Sequence, residues 1–216
     1  MEKRFDTFIF DLDGTLLDTV PDLIALTNRI LREMGMPERS RDDIIAFVGG
    51  GLVQFLTLAL PEGSTPEDVD RALELWEGWY MGYYESTDPY DGIPELIDEL
   101  LERGCKCAIF SNRDKPGVDL LIERSPIGGF ELTLGTGEEI PRKPDPAGVL
   151  HAMRELGSQP ENTLYIGDTP TDITAGNEAG CTTAAVLWGY HSKEELEAEH
   201  PDIIVSDPLE LLRYTI

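Results

Sequence analysis

Two acids separated by a single leucine interrupt an apolar run near the start of the chain. Residues 8–15 read FIFDLDGT, so Asp11 and Asp13 stand directly beyond Phe8, Ile9 and Phe10. The apolar triplet is strand-forming and belongs in a core, which puts both carboxylates where the strand leaves it, at the edge where open α/β sheets bind ligands. Carboxylates so placed can attack an electrophile, move a proton or hold a hard cation. Three further polar clusters follow apolar segments in the same way. Ser111 and Asn112, with Arg113, follow CAIF; Lys143 lies in RKPDP beyond LTL; Asp168 and Asp172 lie in GDTPTD after LYI. Parallel strands share one direction, so their C-terminal ends meet along one edge and these distant residues converge there.

Taken singly, each cluster has a plainer reading. Asp11 and Asp13 suit a turn with Gly14, whereas a calcium loop would need a further acid at 15 and a glutamate at 22, where Thr15 and Asp22 stand. Ser111 and Asn112 suit a helix cap, Asp172 an N-cap or first-turn acid, and Lys143 a solvated loop. His151, His191 and His200 lack metal-ligand spacing and read as structural or exposed.

The periodicity supplies the elements that position the clusters. Thr19, Pro21 and Asp22 predict a helix start with a cap, and Leu23, Leu26, Ile30 and Met34 recur at helical spacing until Gly35 and Pro37. Helices are also expected from Ser40 and over 52–60, on either side of Gly49, Gly50 and Gly51, and over 66 to about 85. Trp76, Trp79, Tyr80, Tyr83 and Tyr84 crowd the last of these, a pattern that favours packing within the helical block. From Gly92 onward, helices (94–103, 115–123, 146–156, 172–179, 193–199) alternate with strands (106–110, 130–134, 163–166, 182–187, 203–205). Alternation of this kind predicts an α/β fold, a doubly wound parallel Rossmann-like sheet. The helical stretch stands outside it. The expected organisation is therefore a core of residues 1–18 and 89–216 with an inserted all-helical cap domain over 19–88.

In their order and spacing the four clusters resemble the haloacid dehalogenase superfamily of phosphatases. The Asp11–Thr15 segment matches its first motif, Ser111 the second, Lys143 the third and Gly167 to Asp172 the fourth. A helical insertion after the first motif is similar to the subgroup of phosphoglycolate phosphatases, β-phosphoglucomutases and some pyrophosphatases. The resemblance implies an Mg²⁺-dependent phosphatase acting through an aspartyl-phosphate. Asp11 would be the nucleophile and Asp13 the general acid and base, with Ser111 and Lys143 holding the phosphoryl oxygens. Asp11, Asp168 and the Asp13 carbonyl would bind the metal, with Asp172 a ligand or a support. Gly14, whose free N–H groups would face the phosphate, Thr15, Asn112 and Arg113 would serve substrate binding, as would the loop of Gly49, Gly50 and Gly51, with Gln54 nearby. A phosphomutase of the β-phosphoglucomutase type and a pyrophosphatase are the alternative readings. A non-catalytic binding protein explains poorly why every motif is present.

Composition sets the outer limits. The 216 residues carry a formal charge of −25, which argues against nucleic acid or an anionic membrane as partner, and the small phosphorylated metabolite that the resemblance implies would need a locally positive site. The N-terminus runs straight into a strand without a signal-peptide apolar region, so a cytoplasmic protein is expected, and a monomer or homodimer is the expected state. Cys105, Cys107 and Cys181 have no metal-ligand pattern and read as reduced core residues.

Overall fold

Four consecutive residues, Thr7–Phe10, form β1, and all four are buried. Phe8, Ile9 and Phe10 are fully inaccessible, and burying apolar side chains of that size stabilises by about 1.5–3 kcal/mol each. The computed structural model describes residues 4–48, 50–83, 87–137 and 139–216. The chain divides into two compact units, one of Met1–Asp18 with Asp88–Ile216 and one of Thr19–Thr87.

In the first unit, β1 is followed by β2 (Lys106–Asp114), β3 (Leu132–Thr136), β4 (Thr163–Gly167), β5 (Thr182–Val186) and β6 (Ile203–Val205). They form one six-stranded sheet in the order β3-β2-β1-β4-β5-β6. Every pairing is parallel. The order reverses at β1, so the switch point of the sheet lies between β1 and β4, where ligands collect in such folds. Phe10 pairs with Ile109 on one side and Ile166 on the other, which brings Asp11 level with Phe110 and Gly167. One core packs Ile9, Phe110 and Tyr165 against Val149, Met153 and Ala175. The three cysteines are free and buried.

In the second unit lie α1 (Val20–Glu33), α2 (Arg41–Phe47), α3 (Leu52–Ala59) and α4 (Pro66–Trp79). They close around Leu26, Ile30, Ile44, Phe55, Leu75 and Trp76. Trp76 stacks on Tyr80 and meets Phe55 edge-on, and Arg29 lies 4.0 Å from the Trp79 ring. The aromatic cluster therefore packs inside its own unit; Tyr84 lies outside the described residues. The first unit continues with α5 (Ile93–Glu102), α6 (Lys115–Arg124), α7 (Ala147–Leu156), α8 (Pro170–Glu178) and α9 (Lys193–Glu197), and a 3-10 helix over Pro208–Tyr214.

Several boundaries differ from the sequence reading. Thr19 is the N-cap residue of α1 but has helical dihedrals and makes no side-chain cap, and Asp22 instead accepts from Thr87 Oγ1 at 2.6 Å. A capping hydroxyl normally accepts from the N–H three residues ahead while its own backbone is extended, as Ser40 and Thr65 do. α4 stops at Trp79 and passes into a 3-10 turn over Tyr80–Gly82, where Gly78 near the end of the helix and Gly82 in the turn weaken it. β2 runs on through Ser111 and Asn112 rather than ending before them, with a shift of register between Phe110 and Asp114. β3 begins two residues later than expected, and α8 begins at Pro170, placing Asp172 inside the helix.

Candidate active site

The strand ends bring Asp11, Asp168 and Asp172 together. One carboxylate oxygen from each lies within 4.8 Å of the others, and all three residues are buried. Asp11 follows β1, Asp168 follows β4, and Asp172 sits in the first turn of α8. Lys143 projects into the cluster: its Nζ donates to Asp11 Oδ1 and to Asp172 Oδ1, each at 2.6 Å, and to the Phe110 carbonyl at 3.3 Å. Its side chain is only 2% exposed.

Asp172 is fully committed. Oδ1 accepts from Lys143 and from the Tyr165 hydroxyl at 3.2 Å, while Oδ2 accepts from the Thr169 N–H at 3.0 Å and the Thr169 hydroxyl at 2.6 Å. These bonds use the four acceptor positions that a carboxylate offers. The Thr169 pairing is also a capping box, so helix formation itself fixes the Asp172 side chain. Asp168 accepts one bond on each oxygen, from Thr15 Oγ1 at 2.8 Å and from the Tyr190 N–H at 2.9 Å, and keeps further acceptor capacity.

The charges do not balance within the cluster. Burial, then the Asp172 carboxylate, pushes Asp11 well above the ordinary carboxylate range against the pull of Lys143. Burial and Asp172 likewise push Asp168 up to about 7, despite the bonds from Tyr190 and Thr15. Burial would lower Lys143, but Asp11 and Asp172 outweigh it and hold the ammonium well above its usual range. One ammonium thus faces three buried carboxylates. Ionised together, the three acids would carry more charge than one ammonium balances, and that excess with the all-oxygen donor set fits a hard divalent cation.

Asp13 points elsewhere. Its carboxylate takes a two-pronged grip from Arg113, Nη2 to Oδ1 at 2.5 Å and Nε to Oδ2 at 3.2 Å, with Ser111 Oγ at 3.4 Å from Oδ2. Asn112 binds the backbone of Lys143 on both sides, accepting from its N–H at 2.8 Å and donating to its carbonyl at 3.3 Å. Gly14 differs from expectation, because its N–H donates to the Leu17 carbonyl at 2.9 Å rather than remaining free. What demands glycine there is a positive φ of 88° and the Asp168 carboxylate, which a Cβ would meet at 2.3 Å. Gly50 and Gly51 precede α3 in the other unit, and a Cβ on Gly50 would meet the Gln54 side chain. Gly49 lies outside the described residues.

Sequence reasoning missed Tyr165, Thr169 and the segment Trp188–Tyr190. The last carried a usable signal, since it follows β5 as the other clusters follow their strands.

The profile of the haloacid dehalogenase-like hydrolases matches residues 8–186. The chain belongs to that family. It is 33% identical over 210 residues to the phosphoglycolate phosphatase of Pseudomonas putida strain KT2440, covering 94% of this chain and 77% of that one. With the phosphoglycolate phosphatase of Aquifex aeolicus it shares 34% over 207 residues, covering 95% and 94%. A crystal structure from Lactobacillus delbrueckii subsp. bulgaricus superposes with a TM-score of 0.88 at 30% identity, covering 98% of this chain and 97% of that chain. The resemblance read from the four motifs and the α/β fold expected from the alternation of strands and helices are both borne out. This family member is an enzyme, a hydrolase of the phosphatase kind.

Proposed function

We propose that the protein is a Mg²⁺-dependent phosphatase that hydrolyses 2-phosphoglycolate. The observation that carries the reading is the buried cluster of Asp11, Asp168 and Asp172 with Lys143 at the switch point of the sheet. The names of the curated relatives support the substrate.

An Asp11 oxygen forms a bond to phosphorus as the bond to the leaving oxygen breaks, giving an aspartyl-phosphate. Asp13 gives its proton to the leaving alkoxide, then takes one from the water that releases phosphate and restores Asp11. Ser111 and Lys143 donate to the phosphoryl oxygens, where charge is spread in the transition state. Asp11 and Asp168, with the Asp13 carbonyl, would hold Mg²⁺, which when bound neutralises phosphoryl charge that the acids would otherwise repel. With its acceptor positions engaged, Asp172 is assigned to fixing Lys143 rather than to the metal. Asn112 is assigned the same task from the backbone side. Arg113 holds Asp13 and, as a guanidinium beside the site, is assigned to an anionic group of the substrate as well. The helical unit is assigned the role of cap, and its loop with Gly50 and Gly51 that of recognising the organic part of the substrate.

The test is phosphate release from 2-phosphoglycolate, sugar monophosphates, nucleotides and pyrophosphate, with Mg²⁺ and with EDTA, for the wild type and Asp11→Asn. Preference for 2-phosphoglycolate, dependent on Mg²⁺ and absent in a folded Asp11→Asn protein, is the expected result. Retained turnover in that variant would remove the nucleophile assignment, and a different preferred ester would replace the substrate.

A further inference from the structure

The segment Trp188-Gly189-Tyr190 has no place in the chemistry above, yet it closes on the acid that chemistry needs most. Asp168 is fully buried. The Tyr190 N–H donates to its Oδ2 at 2.9 Å. One residue earlier, a Cβ on Gly189 would lie 2.3 Å from Asp168 Cβ and 2.4 Å from Oδ2. These are the fixed root and one oxygen of a buried side chain, not the end of a mobile one, so no side chain fits at 189 without displacing Asp168 or the loop. One residue earlier again, the Trp188 indole N–H donates to the Thr15 carbonyl at 2.9 Å, and the Thr15 hydroxyl donates to Asp168 Oδ1 at 2.8 Å. Each oxygen of Asp168 is thus held from a different side, and Trp188 ties the two sides together across the ends of β1, β4 and β5.

We infer that Trp188, Gly189 and the Tyr190 backbone form a positioning clamp that fixes the Asp168 carboxylate for a divalent cation. The inference rests on the reading of Asp168 as a metal ligand. Groups that orient ligands from outside the coordination sphere are commonly worth about 10–100-fold in metal affinity, and the clamp is of that kind. Trp188 acts on Asp168 through Thr15.

The experiment is Mg²⁺ binding to the full-length protein by isothermal titration calorimetry, with the melting temperature in EDTA measured alongside. Gly189→Ala and Trp188→Phe are compared with the wild type and with Gly128→Ala, where a Cβ meets nothing within 4 Å. The expected result is Mg²⁺ affinity lower by about 10–100-fold for Gly189→Ala and several-fold for Trp188→Phe. Melting of Trp188→Phe in EDTA should stay near that of the wild type, because an aromatic ring remains at this half-buried position. Should Gly189→Ala not fold, Trp188→Phe decides alone. Unchanged affinity in the folded variants, with the wild type binding normally, overturns the clamp and leaves the metal reading standing. A wild type that binds no Mg²⁺ overturns that reading and the clamp with it.

Discussion

Lys143 carries one positive charge into a space occupied by three buried acids, and two of them accept its hydrogen bonds at 2.6 Å. Removing one partner of a buried ion pair leaves charge in a poorly solvating interior, at a cost of about 3–5 kcal/mol. Lys143→Met should therefore destabilise the metal-free protein by about that amount, read as a lower urea midpoint in EDTA, besides abolishing turnover. An unchanged midpoint would mean that the acids simply take up protons and that the ammonium serves the phosphate alone. Asp13 differs in kind, because it lies partly open and is gripped by Arg113 rather than by the buried cluster. As the proposed proton carrier it should lower kcat by about 10²–10⁴-fold on change to Asn, with stability little altered. Near-normal kcat would move the proton transfer to another group.

Elements, not single residues, decide whether those side chains meet. The parallel register of β1 with β2 and β4 sets Asp11 level with its neighbours, and the capping box of α8 then turns Asp172 inward. In the helical unit, Arg39 does for α3 what no C-terminal glycine does: Nε donates to the Ala59 carbonyl at 2.7 Å and Nη2 to the Leu60 carbonyl at 2.8 Å. Hydrogen bonds to a charged group contribute about 1.5–3 kcal/mol, so Arg39→Met should lower the unfolding free energy by roughly that much in a urea titration. A loss under about 0.5 kcal/mol would show that water replaces the guanidinium there. These contacts also explain what could be read from the sequence. Asp11, Ser111, Lys143 and Asp168 were legible because strand ends and motif order are local features, and parallel strands must deliver them to one edge. Arg39 and Tyr165 were not legible, since each bonds across 7 to 21 positions to a partner that only the folded chain supplies, and Asn112 was legible as a site residue but not as a partner of the Lys143 backbone. Thr19 failed in the opposite sense: the local pattern promised a cap, and the helical backbone at that residue withdrew it.

Across the whole molecule, a formal charge of −25 repels any anionic substrate and repels itself, so any cation stabilises the fold to some extent by screening. Binding at the site can be separated from screening by its pH dependence. Burial, with Asp172 beside it, raises Asp168 from the ordinary 3.8 to about 7, and Asp11 is raised for the same causes. An acid that holds its proton more tightly folded than unfolded favours the metal-free fold fully below pH 3.8, and that contribution is lost as the pH rises through about 7. Mg²⁺ must displace those protons, so its stabilising effect should be small near pH 5.5 and larger near pH 8. At about 100 times its dissociation constant a ligand stabilises by about 2.7 kcal/mol, which for a chain of this size is a rise of roughly 5–10 °C in melting temperature. The measurement is melting with Mg²⁺ against NaCl of matched ionic strength at both pH values. An increment that grows with pH only for Mg²⁺ places the cation among the buried acids, whereas equal increments for both salts would assign the stabilisation to the surface charge and leave the cluster without its metal.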